Sequence, residues 1–184
     1  QTLAGENTYS GGTFINGGTV KITADNNLGA SSGGLSFDGG TLDTGTKSVT
    51  IDRAINLLDG GGTFAVDDAA NNKTISLTGE VSGTGGLTKS GSGTVALSGA
   101  NTYSGGTFIN GGTVEITADN NLGASSGGLS FDGGALDTGT KSLTIDRAIT
   151  LQNGGATFAV DNAANNKTIS LTGEISGTGG LTKT

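Results

Sequence analysis

Asn7-Thr-Tyr-Ser-Gly-Gly-Thr13 returns as Asn101-Thr-Tyr-Ser-Gly-Gly-Thr107, and Ala24-Asp-Asn-Asn-Leu-Gly-Ala30 returns as Ala118-Asp-Asn-Asn-Leu-Gly-Ala124. Both belong to one long echo, in which Leu3 to Lys89 recurs at Leu97 to Lys183 with an offset of about 94 residues. Most substitutions between the copies are mild: Val49 for Leu143, Val81 for Ile175, Asp68 for Asn162. Lys21 against Glu115 reverses charge, which marks an exposed position. The pattern begins and ends in mid-repeat, so the expectation is an excerpt from a longer array, with one repeat over residues 1–94, a second over 95–184, and a single continuous solenoid.

Within each repeat the chain falls into short strand-like segments. They are Thr13-Phe-Ile15, Thr19-Val-Lys-Ile22, Leu35-Ser-Phe37, Thr41-Leu-Asp43, Ser48-Val-Thr-Ile51, Ala54-Ile-Asn-Leu57, Thr63-Phe-Ala-Val66, Thr74-Ile-Ser-Leu77, Gly86-Leu-Thr88 and Thr94-Val-Ala-Leu97. Most alternate apolar and polar residues, as a strand with one buried face does. Gly-Gly, Asn-Gly, Asp-Gly and Ser-Gly pairs separate them and supply the positive φ that tight corners need. No segment keeps a 3.6-residue apolar period long enough for a helix. A sandwich has no reason to repeat itself at this length, whereas a solenoid does. At roughly 20–25 residues per coil, one repeat makes about four coils of three short strands. Coils stacked ~4.8 Å apart would give eight of them a length on the order of 40 Å.

Composition limits the chemistry. The 184 residues include 37 glycines but no proline, cysteine, methionine, tryptophan or histidine. Without cysteine the fold depends on packing and hydrogen bonds rather than disulfides. Without histidine the commonest general base and metal ligand are missing, and most nucleophile–base pairs and zinc sites go with them. A net charge of −7 and a pI near 4.3 disfavour nucleic acid and anionic lipid. No apolar run approaches the ~20 residues of a membrane helix. No signal-like segment opens the chain either, so targeting information is expected outside it.

The stretch Gly85-Gly-Leu-Thr-Lys-Ser-Gly-Ser-Gly-Thr-Val-Ala-Leu-Ser-Gly-Ala-Asn-Thr-Tyr-Ser-Gly-Gly-Thr-Phe-Ile-Asn-Gly-Gly-Thr-Val114 closely resembles the passenger-associated repeat of bacterial autotransporters. A truncated copy spans Leu3 to Val20, and the opening half recurs at Gly179 to Lys183. Val95 and Val114 stand where leucine is usual, which keeps the apolar role. The resemblance implies a right-handed parallel β-helix, exported and displayed at the surface of a Gram-negative cell upstream of a membrane β-barrel. It does not fix function, because such passengers include adhesins, proteases, esterases and plain stalks.

Several residues are candidates for chemistry. Paired carboxylates suggest polysaccharide processing: Asp38, Asp43, Asp52, Asp67 and Asp68, with mates Asp132, Asp137, Asp146 and Asp161. Turn-forming aspartates at solvated corners are the plainer reading. Asp52-Arg53 and Asp146-Arg147 hold the only arginines; a lyase would want such a positive group beside its acids, and a structural ion pair or solvated strand end is the plainer reading. Phe37-Asp-Gly-Gly40 and Leu58-Asp-Gly-Gly-Gly62 offer at most adventitious calcium contacts, since neither known calcium-loop spacing occurs. Asn26-Asn27, Asn71-Asn72, Asn120-Asn121 and Asn165-Asn166 suit turns, internal amide ladders or exposed hydrogen-bonding edges. Asn72-Lys-Thr74 and Asn166-Lys-Thr168 match a glycosylation acceptor only by spacing. Tyr9 and Tyr103, beside Gly-Gly, suit either packing over a glycine corner or a partly exposed contact.

No catalytic, cofactor-binding or metal residue is assigned, and no enzyme activity or cofactor is expected. The expected function is a repetitive extracellular rod for adhesion, self-association and spacing. Its partners would be itself, stacked head to tail or side by side, and host or matrix surface molecules. Nucleic acid binding and membrane insertion are not expected. A passive stalk and a β-helical polysaccharide enzyme are the alternatives.

Overall fold

A computed structural model describes residues 1–67, 72–161 and 166–184. The first repeat forms β1 (Thr13–Ile15), β2 (Thr19–Lys21), β3 (Leu35–Phe37), β4 (Gly40–Asp43), β5 (Val49–Ile51), β6 (Ile55–Leu57), β7 (Gly62–Ala65), β8 (Thr74–Leu77), β9 (Val81–Gly83), β10 (Leu87–Ser90) and β11 (Thr94–Leu97). The second forms β12 (Thr107–Ile109), β13 (Thr113–Ile116), β14 (Leu129–Phe131), β15 (Gly134–Asp137), β16 (Leu143–Ile145), β17 (Ile149–Leu151), β18 (Ala156–Ala159), β19 (Ile169–Leu171), β20 (Ile175–Gly177) and β21 (Leu181–Lys183). Asp25–Leu28 and Asp119–Leu122 each make one turn of 3-10 helix. Each segment expected from alternation carries a strand. β9 has no such signal in the sequence, because its Val-Ser-Gly has one apolar residue and no alternation.

All pairings between these strands are parallel, and together they make an all-β solenoid of about seven turns. One face is the eight-stranded sheet β2-β4-β7-β10-β12-β14-β17-β20, and a second is the seven-stranded sheet β5-β8-β11-β13-β15-β18-β21. The remaining face begins with β1-β3-β6-β9. Beyond β9 it continues through Thr102 and Ser104, whose amides donate to Val81 and Gly83 at 2.9 and 3.0 Å. The Asp119–Leu122 turn follows, packed against β16, and β16 pairs with β19.

The repeat and the turn are out of step. From β2, four steps along the eight-stranded sheet lead to β12, and the next strand of the chain, β13, is the counterpart of β2. One repeat is therefore four turns plus one face, where the sequence expected about four coils. Each element moves with it. β1 lies in the four-stranded sheet but its mate β12 in the eight-stranded one; β5 lies in the seven-stranded sheet but its mate β16 pairs with β19.

Inward side chains stack along the axis in register. On the eight-stranded face the ladder is Val20, Leu42, Phe64, Lys89, Ile109, Phe131 and Leu151. On the seven-stranded face it is Val49, Ile75, Val95, Val114, Leu136 and Phe158. Phe37 and Phe64 meet across the bore with ring centroids 5.1 Å apart, and Phe131 and Phe158 repeat the contact at 5.2 Å. Burying such side chains stabilises by about 25 cal/mol per Å². Glycine makes the corners possible. At Gly123, with φ +77°, a side chain would run into the Tyr103 ring and carbonyl stacked beneath it.

Candidate functional site

Since inward residues fill the bore, any binding surface lies on the outward ranks. On the eight-stranded face one rank reads Thr19, Thr41, Thr63, Thr88, Phe108, Ser130, Thr150 and Ser176, each in register with the next. On the seven-stranded face a rank reads Thr74, Thr94, Thr113, Ala135, Thr157 and Thr182. Apart from Phe108 and Ala135 these ranks carry hydroxyls, and they carry no charge, on a chain whose net charge is −7. They form flat strips of hydrogen-bonding groups at the coil spacing of ~4.8 Å. Phe108 interrupts the first strip and is 40% exposed, its ring lying across Gly86. Its mate Phe14, with no strand beneath it, is 66% exposed.

The carboxylates scatter over separate corners. Asp38 and Asp132 accept the amides of Gly60 and Gly154, each at 2.9 Å. Asp43 and Asp137 accept the amides two residues on, from Gly45 and Gly139, at 2.6 and 2.8 Å. Asp146 accepts the Thr172 hydroxyl, and Asp52, Asp67 and Asp161 are exposed. Asp59, in the second glycine-rich candidate loop, accepts the Thr84 hydroxyl. Asp68, its mate Asn162, and Asn71 and Asn165 lie outside the described residues. No group of three or more acidic side chains among the described residues is arranged to hold a metal ion.

The arginines do form ion pairs, but not with their sequence neighbours. Arg53 is 3% exposed and grips Asp25, 28 residues earlier, through Nε at 2.9 Å and Nη2 at 2.7 Å. Its Nη1 also donates to the carbonyls of Leu28, Ala30 and Gly33. Arg147 repeats the arrangement with Asp119, Leu122, Ala124 and Gly127. Each planar guanidinium thus organises a 3-10 corner by filling its carbonyl cage. Spacing gave no sign of this partner, because the coil between them sets the contact.

The asparagines divide. Asn27 and Asn121 are buried at the same corners; Asn121 Oδ1 accepts the Thr117 and Ala118 amides, and its Nδ2 donates to Gly99. Asn101 ties three coils, accepting the Val81 amide at 2.8 Å and donating to the Asn121 carbonyl at 2.6 Å. Asn72 and Asn166 adopt left-handed turns with φ +46° and +47°. The tyrosines differ: Tyr103 is a packing group, and Tyr9 is 42% exposed. Tyr103 is fully buried, bonded to the Thr107 hydroxyl at 2.7 Å, and burial pushes its phenol up to about 12. Tyr9 makes the same bond to Thr13 from a more exposed position.

Lys89, a residue of the repeat motif, is buried in the inward ladder between Phe64 and Ile109. Its Nζ donates to the carbonyls of Ser90, Gly91 and Gly111 at 2.6, 2.7 and 3.3 Å. Burial lowers its pKa to about 8, against the raising effect of Asp67. Since Gly111 belongs to the second repeat, this lysine staples one repeat to the next.

A corner-to-corner solenoid built on this motif defines a class. The model of the passenger-associated-transport-repeat family matches residues 1–22 and 87–116. The chain is thus similar, over these stretches, to autotransporter passengers that carry this repeat. It is 45% identical over 181 residues to the adhesin BmaC autotransporter of Brucella suis biovar 1 (strain 1330). The alignment covers 98% of this chain and 4% of that relative's length. No solved structure matches the chain. No helix among the described residues is long and apolar enough to cross a membrane.

Proposed function

We propose that this chain is part of a long, non-catalytic surface rod that adheres and self-associates while spacing other segments from the cell. The observation that carries the reading is the uncharged hydroxyl strip of the eight-stranded face, which runs across both repeats from Thr19 to Ser176 although the sequence repeat itself turns. Two rods of net charge −7 repel, so their contact falls on strips free of carboxylates, where each hydroxyl both donates and accepts. A copy of the same strip is a matching partner. The relative's description as an adhesin supports the reading. Single contacts of this kind are weak, and repetition along a rod raises their combined strength by avidity. Unpaired strand edges at a solenoid end also favour head-to-tail stacking.

Sedimentation of the purified chain over a range of concentrations, together with its capture on surfaces coated with the same chain or with extracellular matrix, tests this function. Reversible assembly or saturable capture, lost when Thr63 and Thr88 are both replaced by aspartate, is the expected result. A chain that stays monomeric and binds neither surface is a passive stalk, and the adhesive reading then fails.

A further inference from the structure

The hydroxyl ranks recur with every coil, but the exposed phenylalanine recurs only once per repeat. Phe14 and Phe108 are the exposed aromatics at matching positions of the two copies. On the side of the following coils their surroundings also match: Ser36 and Asn56 follow Phe14 in register, and Ser130 and Thr150 follow Phe108. Thr88 lies on the other side of Phe108, and the column of Gly86, Gly106 and Gly128 runs alongside as bare backbone. Asp59 is the one charged residue in the furrow beside Phe108, and the Thr84 hydroxyl is bonded to it. An apolar anchor ringed by neutral hydrogen-bonding groups is the make-up of an interface centre. On a rod of net charge −7, a neutral patch of this kind is where a second copy of the rod can approach.

The placement of the two patches adds a direction. Phe14 stands on β1 in the four-stranded sheet, whereas Phe108 stands on β12 in the eight-stranded sheet, one face round the rod. With three faces per turn, this is a rotation of about a third of a turn per repeat. We infer that the rods self-associate through the patch centred on this phenylalanine, and that successive repeats face different neighbours, so that association builds bundles and not pairs. The inference rests on the self-association reading and assigns it an anchor and a geometry. In a longer array the same patch returns to a given face only at every third repeat, about 60 Å along the axis at ~4.8 Å per coil. Two rods lying straight against each other would share it at that interval, leaving the repeats between free to recruit others.

The test is sedimentation equilibrium of the whole chain, taken to high concentration, for the parent and for Phe14→Thr, Phe108→Thr and the double variant. Threonine continues the hydroxyl rank and suits a strand, and circular dichroism with thermal melting confirms that each variant folds. The parent, with two patches pointing apart, is expected to grow past twice the monomer mass. Each single variant should stop at the dimer, and the double variant should stay monomeric. A parent that stops at the dimer overturns the bundle geometry. A double variant that assembles like the parent overturns the phenylalanine anchor while leaving association through the hydroxyl strips intact. A parent that never associates overturns both.

Discussion

Arg53 and Arg147 show what one residue does in a rod with so little else to hold its corners. Each is a charge taken almost wholly out of water, and the cost is offset by a carboxylate and a set of corner carbonyls that accept from it. Replacing Arg53 by alanine strips Asp25 of its cation and the Gly33 carbonyl of its donor, so the expected loss is about 3–5 kcal/mol in urea unfolding. Arg53→Lys should recover little of it, because an ammonium cannot match the fork geometry. Lys89 and Tyr103 give the stability a pH signature. Folding lowers the Lys89 pKa from 10.5 to about 8, so above pH 8 the unfolded chain holds the extra proton and stability rises. Folding raises the Tyr103 pKa from 10.0 to about 12, so above pH 10 the folded chain holds the extra proton and this contribution falls. Melting temperature followed from pH 7 to 11 should therefore climb and then level or turn. Lys89→Met should remove the climb, and Tyr103→Phe should delay the downturn.

At the scale of strands, the two repeats serve as controls for each other. Lys21 on β2 and Asp43 on β4 are in register and form an ion pair at 3.1 Å. In the second copy the same positions are Glu115 on β13 and Asp137 on β15, two carboxylates facing each other across paired strands. Like charges in register repel, while exposed opposite charges attract modestly. Glu115→Lys should thus stabilise the chain by about 0.5–1 kcal/mol, an effect that fades with added salt and reads out as a shift in urea midpoint at constant slope. The surroundings of the two pairs differ in face, because β2 belongs to the eight-stranded sheet and β13 to the seven-stranded one. A sequence position therefore does not name a direction on this rod.

For the whole molecule, that mismatch between repeat and turn has a functional side. A repeat of a whole number of turns would line every copy of a site along one stripe, suited to one flat partner. A repeat of four turns plus one face winds the sites round the axis, so a rod presents its per-repeat features to all sides. Features that recur per coil, such as the hydroxyl ranks, still run straight. The bundling expected of the parent chain and the pairing expected of the single phenylalanine variants follow from this geometry rather than from any single contact energy. Lys89 shows why the winding does not weaken the rod: its cage closes across the repeat boundary, so the solenoid has no seam there.

The repeat, the alternation and the glycine corners determined the architecture by themselves, because short half-buried strands at regular spacing with no helix period have few ways to bury their apolar side. The passenger-repeat resemblance was legible too, since Gly85 to Val114 carries it in contiguous residues. Only the tertiary structure decided which residues meet. Arg53 finds Asp25 and not Asp52, Asn101 joins three coils, and Lys89 turns inward, since contacts one coil apart depend on the length of every intervening corner. The same holds for the rotation of the patches: 94 residues can be written as about four coils, but whether a further face remains is settled by how many residues each corner consumes in space.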